Sequence, residues 1–259
     1  MADVRTQAPG SGTYRAQNGE DRWLEAHFGA KDSGFFVEVG AYDGVNLSNT
    51  YHFEQAGWTG VLVEPDPVMA ERCRQCRPRS MVYQCAVAGP ESRGETAFFQ
   101  VAGGEAYSTT SLTPAHRQRL EHVGLKWREV RVAVRTLDSI LEEVLPPCID
   151  FVSIDVEGGE LAVLRGFDIR RWKPAVVIVE TNATRRDPEV RRYFVTSGYA
   201  YRHSIDVNDF YLQVGEGATV ARLVDGARYL QYRVTRRMTR LGRLARRAWR
   251  KHVVGGAGR

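Results

Sequence analysis

Long apolar runs are missing from this chain of 259 residues. No stretch approaches the ~20 consecutive apolar residues that a membrane-spanning helix needs. Residues 1–11 carry charge and proline without an apolar core, which is not typical of a secretory signal. We therefore expect a cytoplasmic protein whose residues 1–13 form a disordered leader.

Cysteine is scarce. The four cysteines are Cys73, Cys76, Cys85 and Cys148, too few and too unevenly placed to predict a disulfide framework. Cys73 and Cys76 have the spacing of a metal knuckle, but no second pair of Cys or His follows at zinc-site spacing. We expect reduced thiols without a functional role.

Two common nucleotide-binding motifs are absent. The chain has no Walker lysine motif, and the turn at 40–44, Gly-Ala-Tyr-Asp-Gly, lacks the G-x-G-x-x-G spacing of a dinucleotide site. Glu38 precedes this turn and Asp43 lies within it. Carboxylates there would repel a pyrophosphate, and they favour a sulfonium cation that carries an amino group and no phosphate. S-adenosylmethionine is such a ligand.

Acidic residues are absent from the last 32 residues. Residues 228–259 hold 11 Lys and Arg and no Asp or Glu, whereas the rest of the chain has a net charge of −6. Apolar residues recur there at spacings of three to four, at Leu230, Val234, Met238, Leu241, Ala245 and Trp249. This pattern predicts a basic amphipathic helix.

Such a helix has three interpretations, which the sequence leaves open. Its apolar stripe packs on the globular body, or on a second copy of the chain in a homodimer. It docks on an anionic membrane surface, which would make the protein peripheral at the inner membrane face. It binds nucleic acid, which the acidic body of the chain disfavours.

Strands alternate with helices in the remaining segment, residues 14–227, which we take as one domain. Predicted strands cover 35–39, 61–64, 82–88, 94–102, 129–134, 149–154 and 176–179, and a hairpin of 199–203 and 210–214 is joined by a turn at 206–209. Predicted helices cover 48–56, 68–76, 136–144, 160–165 and 188–196. The pattern predicts an α/β fold, a doubly wound, mostly parallel sheet with an antiparallel terminal hairpin.

Acidic residues and glycines follow the predicted parallel strands, where an open α/β sheet binds its ligands. They are Glu38 with Gly40, Glu64, Asp155 with Glu157, and Glu180 with Asn182. Glu64 stands 24 residues beyond Gly40, where an acid can accept both ribose hydroxyls. The alternatives are a solvated strand-end acid for Glu64 and a buried ion-pair partner for Glu38, because an acid within an apolar strand is costly unless paired.

Five ordered motifs resemble those of the FkbM-type methyltransferases. They lie at 17–21 (QNGED), 36–44 (FVEVGAYDG) with 48–50 (SNT), 57–65 (GWTGVLVEP), 135–138 (RTLD) and 153–161 (SIDVEGGEL) with 164–167 (LRGF). The resemblance spans roughly residues 14–214. It implies a Rossmann-like class I fold that depends on S-adenosylmethionine and usually methylates hydroxyls of sugars, glycolipids or polyketide-type natural products.

The resemblance also implies roles for single residues. Glu38 and Gly40 would contact the methionine end of the cofactor, Glu64 its ribose, and Ala86 or its neighbours the adenine edge. Asn18 and Asp21 would help to close the site. The full set implied to bind the cofactor is Asn18, Asp21, Glu38, Gly40, Asp43, Asn49, Glu64, Ala86 and Asp155.

Methyl transfer to an alcohol needs more than the cofactor, because a sugar hydroxyl is a poor nucleophile near neutral pH and requires a base or a metal. Candidate bases are Asp155, Glu157 and His203, although a lone histidine is more often a core or surface residue. Asp155, Glu180 and Asn182 offer the oxygen ligands that Mg²⁺ prefers. In the alternative, these groups bind the acceptor or cap a helix.

These observations favour an O-methyltransferase acting on a sugar or glycolipid, and a lipid-linked glycan becomes an attractive acceptor if the basic tail binds a membrane. The second hypothesis is a nucleic-acid or protein methyltransferase that docks its substrate through the tail. The third is a cofactor-binding scaffold without chemistry, which the acids at the strand ends disfavour.

Overall fold

The computed structural model describes residues 13–92, 94, 96–102, 127–181 and 187–214. Residues 1–12 of the leader predicted at 1–13, the basic segment at 228–259 and the domain boundary predicted at 227 lie outside these residues. Thr13 is described, and its Oγ1 is hydrogen-bonded to His52 Nδ1 (2.7 Å). The described residues up to Gln213 belong to one compact unit, Met1–Gln213.

Ten strands and seven α-helices occur in the described part of the chain. The strands are β1 (Phe35–Val39), β2 (Thr59–Val63), β3 (Ser80–Tyr83), β4 (Ala86–Val87), β5 (Thr96–Ala102), β6 (Trp127–Arg135), β7 (Phe151–Ile154), β8 (Val176–Glu180), β9 (Tyr199–Ile205) and β10 (Asn208–Gln213). The helices are α1 (Glu20–Phe28), α2 (Tyr51–Gln55), α3 (Pro67–Cys76), α4 (Leu137–Val144), α5 (Glu160–Arg165), α6 (Ile169–Trp172) and α7 (Pro188–Thr196).

Seven strands form the main sheet in the order β3-β2-β1-β7-β8-β10-β9. The first five are parallel, and β10 and β9 close the sheet as an antiparallel pair. All residues of β1 and β7 are buried, as expected for parallel strands that are covered on both faces. The predicted fold class is therefore confirmed.

The core on one face of this sheet is rich in aromatic side chains. Phe36 and Phe151 pack with Phe53 and Trp58, whose ring centroids are 4.8 Å apart. Leu24 of α1 joins the same cluster. This core holds β1 and β7 rigidly side by side, which matters because both strands end at the candidate site.

The register of the parallel strands brings four predicted site residues into one row. Val39 of β1 pairs with Val63 of β2 and with Ile154 of β7, and Ile154 pairs with Val179 of β8. The next residue along the chain is Glu64 for β2, Gly40 for β1, Asp155 for β7 and Glu180 for β8, and these strands are neighbours in that order. Since neighbouring strands lie ~4.8 Å apart, Glu64 and Asp155 flank Gly40 with about 10 Å between their backbones.

Helix α3 begins at residues that the sequence marks, whereas α2 does not. Asp66 accepts a hydrogen bond from the N–H of Val68 (2.7 Å) and Pro67 occupies the first position of α3. By contrast, α2 begins at Tyr51, three residues later than predicted. The prediction failed because the Ser48–Thr50 segment is used to bind Glu38, as described below.

The single strand predicted at 82–88 is two strands in the structure, β3 and β4. The chain leaves the main sheet after Tyr83, and β4 pairs in parallel with β6 in a second sheet of order β4-β6-β5. The predicted turn at 206–209 is shorter than expected, because Asn208 already belongs to β10. The sequence analysis also assigned no helix to α1 or α6.

None of the helices within the described ranges is long and apolar enough to cross a membrane.

Candidate active site

Glu64 lies just beyond the end of β2 and contacts the glycine turn at the end of β1. Its buried carboxylate accepts hydrogen bonds from the backbone N–H of Tyr42 (2.8 Å) and of Asp66 (2.9 Å). Burial raises the pKa of Glu64 to about 8, against the effect of these two donors. Glu64 is thus a buried acid. The alternative interpretation from the sequence, an acid exposed to solvent at the end of the strand, does not describe it.

Gly40 is the point where the loops after β1 and β7 touch. Its φ of +88° is in the left-handed region, and a Cβ at this position would lie 1.7 Å from the backbone oxygen of Asp155. Its N–H donates to the carbonyl of Val63 (2.9 Å). Only glycine satisfies both the backbone angle and the space.

Three carboxylates meet beyond β7 and β8. One oxygen atom each of Asp155, Glu157 and Glu180 lies within 4.8 Å of the others. Asp155 is open to solvent yet densely surrounded by protein, as a side chain on the wall of a cleft is. All three were predicted to lie at the site. The predicted metal ligands were Asp155, Glu180 and Asn182, of which Asn182 lies outside the described residues.

Asp155 and Glu180 lie close enough to affect each other's protonation. One carboxylate oxygen of each lies within 4.8 Å of the other. Burial, and then the negative charge of Asp155, raise the pKa of Glu180 to about 10. Burial also raises the pKa of Asp155, and the charge of Glu20 adds to this rise. The pair therefore keeps one proton at neutral pH, and Glu180 Oε2 finds no partner among the described residues.

Glu38 lies at the centre of a buried polar network. Its carboxylate accepts hydrogen bonds from Ser48 Oγ (2.8 Å), the N–H of Asn49 (2.8 Å) and Thr50 Oγ1 (2.6 Å), and Arg77 Nη1 lies 3.8 Å away. Burial raises the pKa of Glu38, whereas Arg77 and the three donors oppose the rise. The structure thus shows the ion-pair arrangement that the sequence left as the alternative, and a contact of Glu38 with the cofactor stays a prediction.

Asp43 and Asn49 shape the segment that follows the glycine turn. Asp43 Oδ1 accepts from the N–H groups of Val45 (3.0 Å) and Asn46 (2.8 Å). Asn49 Nδ2 donates to Ser153 Oγ of β7 (2.9 Å). Both side chains hold this loop in place, and their contact with the cofactor stays a prediction.

Asn18 and Asp21 lie at the start of α1. Asp21 is 1% exposed, and its Oδ2 accepts from the N–H groups of Arg15 (2.7 Å) and Ala16 (2.9 Å). Asn18 is exposed, and its N–H donates to Glu20 Oε2 (2.8 Å). The Asn18 side chain also donates to Glu20, from Nδ2 to Oε1 (3.3 Å). Asp21 therefore organises the segment before α1, and a role of either residue in closing the cofactor site stays a prediction.

His203 does not meet the carboxylates. His203 of β9 pairs with Phe210 of β10, and Phe210 pairs with Ile178 of β8. His203 therefore lies two strands away from β8, level with a residue two positions before Glu180. Its ring stacks on Phe210 and lies 4.8 Å from the ring of Trp23. Burial, and then Arg202, lower its pKa. This environment matches the core histidine that the sequence left as the alternative.

Ala86 lies in β4, outside the main sheet. It is 3% exposed and packs with Val132 and Val134 of β6 in the small core of the second sheet. A contact between Ala86 and the adenine edge of the cofactor stays a prediction.

Sequence reasoning missed three residues near the site: Arg77, Glu20 and Asn208. Arg77 is fully buried, and its Nε donates to Glu54 Oε2 (2.8 Å). Asn208, which pairs with Glu180, donates its side chain to the buried carboxylate of Glu20 (2.7 Å). Glu20 belongs to the QNGED motif at 17–21, but nothing in the sequence pattern indicated that Asn208, 188 residues away, binds it.

A mostly parallel seven-stranded sheet with an antiparallel end places a glycine turn between acids at its carboxyl edge, which is where open α/β sheets bind their ligands. The family profile described as "Methyltransferase FkbM domain" matches residues 38–202. The chain therefore belongs to the FkbM methyltransferase family.

Solved structures of methyltransferases are similar to this chain at low sequence identity. The TehB-like SAM-dependent methyltransferase of Corynebacterium glutamicum is 11% identical over 76% of this chain and 88% of its own, with a TM-score of 0.42. Human methyltransferase 10 domain containing protein is 12% identical over 75% and 79%, with a TM-score of 0.42. Precorrin-6y C5,15-methyltransferase of Geobacter metallireducens is 10% identical over 80% and 94%, with a TM-score of 0.42. We draw no functional conclusion from these three.

No protein of curated function matches this chain in sequence.

Proposed function

We propose that this methyltransferase transfers a methyl group to a hydroxyl of a sugar, glycolipid or glycosylated natural product. The observation that supports the proposal is the group of Asp155, Glu157 and Glu180, whose oxygens lie within 4.8 Å of one another beside the glycine turn. An alcohol must lose a proton when it is alkylated, and this group offers acceptors for that proton.

The row of strand ends fits the cofactor. Glu64 can accept the ribose hydroxyls, and the small Gly40 leaves its backbone accessible between Glu64 and Asp155. Acidic side chains along this row, with no basic side chain among them, suit a ligand that carries a sulfonium and an amino group and no phosphate. Nothing in the row supplies the cationic partners that a pyrophosphate would need.

When bound, S-adenosylmethionine supplies a methyl group on a positively charged sulfur. The residues of the chain then have two tasks. Asp155 and its neighbours orient the acceptor oxygen in line with that methyl group, and such positioning contributes several kcal/mol to rate acceleration. Asp155, beside the protonated Glu180, takes up the proton that the alcohol releases.

We also propose Mg²⁺ as a partner of the same carboxylates. Mg²⁺ prefers one or two carboxylates together with water and substrate oxygens, and the unpartnered Oε2 of Glu180 offers a ligand. Asp155 and Glu180 would hold the ion together with Glu157, and the predicted contribution of Asn182 stays a prediction. The ion would stabilise the developing alkoxide.

Isothermal titration with MgCl₂ tests the metal independently of turnover. Wild-type protein should bind Mg²⁺, and Glu180→Gln should lose this binding. Glu189→Gln is the matched control, because Glu189 is an exposed acid that pairs with Arg165 away from the row. Absence of heat with wild-type protein, together with full methyl transfer in a chelator, would exclude the metal.

The acceptor class is tested with labelled methyl groups. Protein incubated with ³H-methyl S-adenosylmethionine should label glycolipid or polysaccharide extracts, and Asp155→Asn should label them at least about 100-fold more slowly, the lower range of a lost general base. Label that enters only nucleic acid or protein fractions would overturn the proposed acceptor and favour the second hypothesis.

The basic segment is proposed to dock the enzyme on anionic membranes. Its support is the run of 11 basic residues without an acid at 228–259, where each basic residue near headgroups is worth about 1 kcal/mol. The full chain should sediment with phosphatidylglycerol vesicles but not with phosphatidylcholine vesicles, and salt should release it. Replacement of Arg236, Arg237 and Arg240 by Gln should weaken sedimentation; equal sedimentation with both vesicle types, or with neither, contradicts docking.

A further inference from the structure

The C-terminal end of α3 binds three consecutive carbonyl groups of the glycine turn. Cys73 Sγ donates to the carbonyl of Tyr42 (3.2 Å) and Cys76 Sγ to that of Asp43 (3.3 Å). Arg77 Nη1 donates to the carbonyl of Gly44 (2.9 Å). Residues three and four positions apart share one face of a helix, so these donors meet the turn together.

Close packing accompanies these hydrogen bonds. A Cβ on Gly44 would lie 3.0 Å from Cys76 Sγ, 3.1 Å from Arg77 Cγ and 3.2 Å from the Cα of Cys73. The φ of Gly44 is +80°. Glycine therefore allows the turn to lie directly on α3, and a bulkier residue would push it away.

Both thiols are present in the form that donates. Burial raises the pKa of Cys73, and the negative charges of Glu64 and Glu38 add to the rise. Burial also raises the pKa of Cys76. The negative end of the helix dipole further disfavours a thiolate at the end of α3. These cysteines are therefore protonated at neutral pH, unlike catalytic or metal-binding thiolates.

The orientation of the carbonyls determines where the amide groups point. In a trans peptide the N–H is directed opposite to the preceding C=O. With the carbonyls of residues 42 to 44 held on α3, the N–H of Asp43 points to the other side of the turn, whereas the N–H of Gly44 donates to the carbonyl of Ala41 (2.9 Å) and that of Val45 to Asp43 Oδ1 (3.0 Å). Glu64, which binds the N–H of Tyr42, holds the turn at its beginning.

We propose that Cys73, Cys76 and Arg77 are positioning residues for the cofactor, because they hold the turn at 42–44 in the shape that receives the methionine end of S-adenosylmethionine. The inference depends on the cofactor of the family and is independent of the acceptor and of Mg²⁺. The proposal gives a role to Cys73 and Cys76, for which the sequence predicted no function.

Cysteine variants test the proposal, since removal of Arg77 leaves buried carboxylates unpaired and endangers folding. Cys73→Ala/Cys76→Ala loses both donors, whereas Cys73→Ser/Cys76→Ser keeps a donor at each position. Titration with S-adenosylhomocysteine should give a Kd raised about 10-fold for the double alanine variant and less than about 3-fold for the double serine variant, as expected for one to two modest hydrogen bonds.

Hydrogen exchange of the cofactor-free protein supplies a second readout. The amides of residues 42–45 should exchange about 10-fold faster in the double alanine variant, with the double serine variant near wild type. Ile140→Val, a buried change in α4 far along the chain from the turn, is the control for general destabilisation and should leave both the Kd and the exchange of these amides unchanged.

Two results would overturn the proposal. One is a double alanine variant that melts earlier yet binds S-adenosylhomocysteine with wild-type Kd well below its melting temperature. The other is a serine variant as weak as the alanine variant, which would assign the effect to packing and not to donation. A wild-type protein that does not bind S-adenosylhomocysteine at all would contradict the cofactor itself, and so is distinguishable from both.

Discussion

The N–H of Tyr42 donates a hydrogen bond of 2.8 Å to the carboxylate of Glu64. Tyr42 has a φ of +51°, a left-handed conformation that costs a non-glycine residue about 1–2 kcal/mol. The hydrogen bond helps to offset this strain, because it satisfies a buried carboxylate. The acid expected to bind the ribose thus also holds the turn expected to bind the methionine end, and the two parts of the cofactor site are mechanically connected.

Stability should depend on pH through Glu64. Its pKa is raised from 4.5 to about 8 in the folded protein, so its contribution is full below pH 4.5 and is lost as the pH rises through 8. Urea unfolding should show a loss of about 2 kcal/mol from this group between pH 6 and 8 in wild type, and Glu64→Gln should lack it. Glu71→Gln, an exposed acid of α3, should follow the wild-type profile; parallel profiles for wild type and Glu64→Gln would refute this assignment.

Gly40→Ala should disrupt the site. The added Cβ would lie 1.7 Å from the backbone oxygen of Asp155, so the loops after β1 and β7 must move apart, with a loss of about 3 kcal/mol or more and no detectable binding of S-adenosylhomocysteine. The control is Gly29→Ala, which has a φ of +63° but no described atom within 4 Å. It should lower the melting temperature modestly and leave the Kd unchanged. A Gly40→Ala protein with wild-type affinity would show that the contact is unimportant.

Arg77→Met should be strongly destabilising. The guanidinium is fully buried between Glu54 (2.8 Å) and Glu38 (3.8 Å), and removal of one partner from a buried ion pair costs about 3–5 kcal/mol. The exposed Arg79, which contacts only the carbonyl of Gly57 through its side chain in the described structure, is the matched control. Arg79→Ala should cost less than about 0.5 kcal/mol in chemical denaturation. Equal effects of the two changes would mean that the buried network does not stabilise the fold.

The sequence predicted the elements whose pattern is local. The strands around Phe36, Val61, Val152 and Val177 carry nearly continuous apolar runs, and such runs are typical of parallel strands buried on both faces. The acids that follow them were placed at the right edge of the sheet because carboxyl ends of parallel strands share one edge. Asp155, Glu157 and Glu180 therefore come together as the pattern indicated.

What the sequence did not predict depends on partners distant in the chain. Arg77 follows a helix and precedes a proline, and only the folded structure places it beside Glu38 and Glu54. His203 had a suitable ring for a base, but its register with Phe210 takes it away from the carboxylates. The strand predicted at 82–88 divides because β4 finds a partner in β6, almost fifty residues later, a choice that local propensity does not encode.

The most direct test of the account is a crystal structure of the protein with S-adenosylhomocysteine. We expect the ribose hydroxyls within hydrogen-bond distance of the Glu64 carboxylate, and the sulfur above Gly40 on the side of Asp155. A ligand bound away from Glu64, or with its sulfur turned from Asp155 towards the edge strand β3, would contradict the central claim that this row of strand ends holds the methyl donor beside the acceptor.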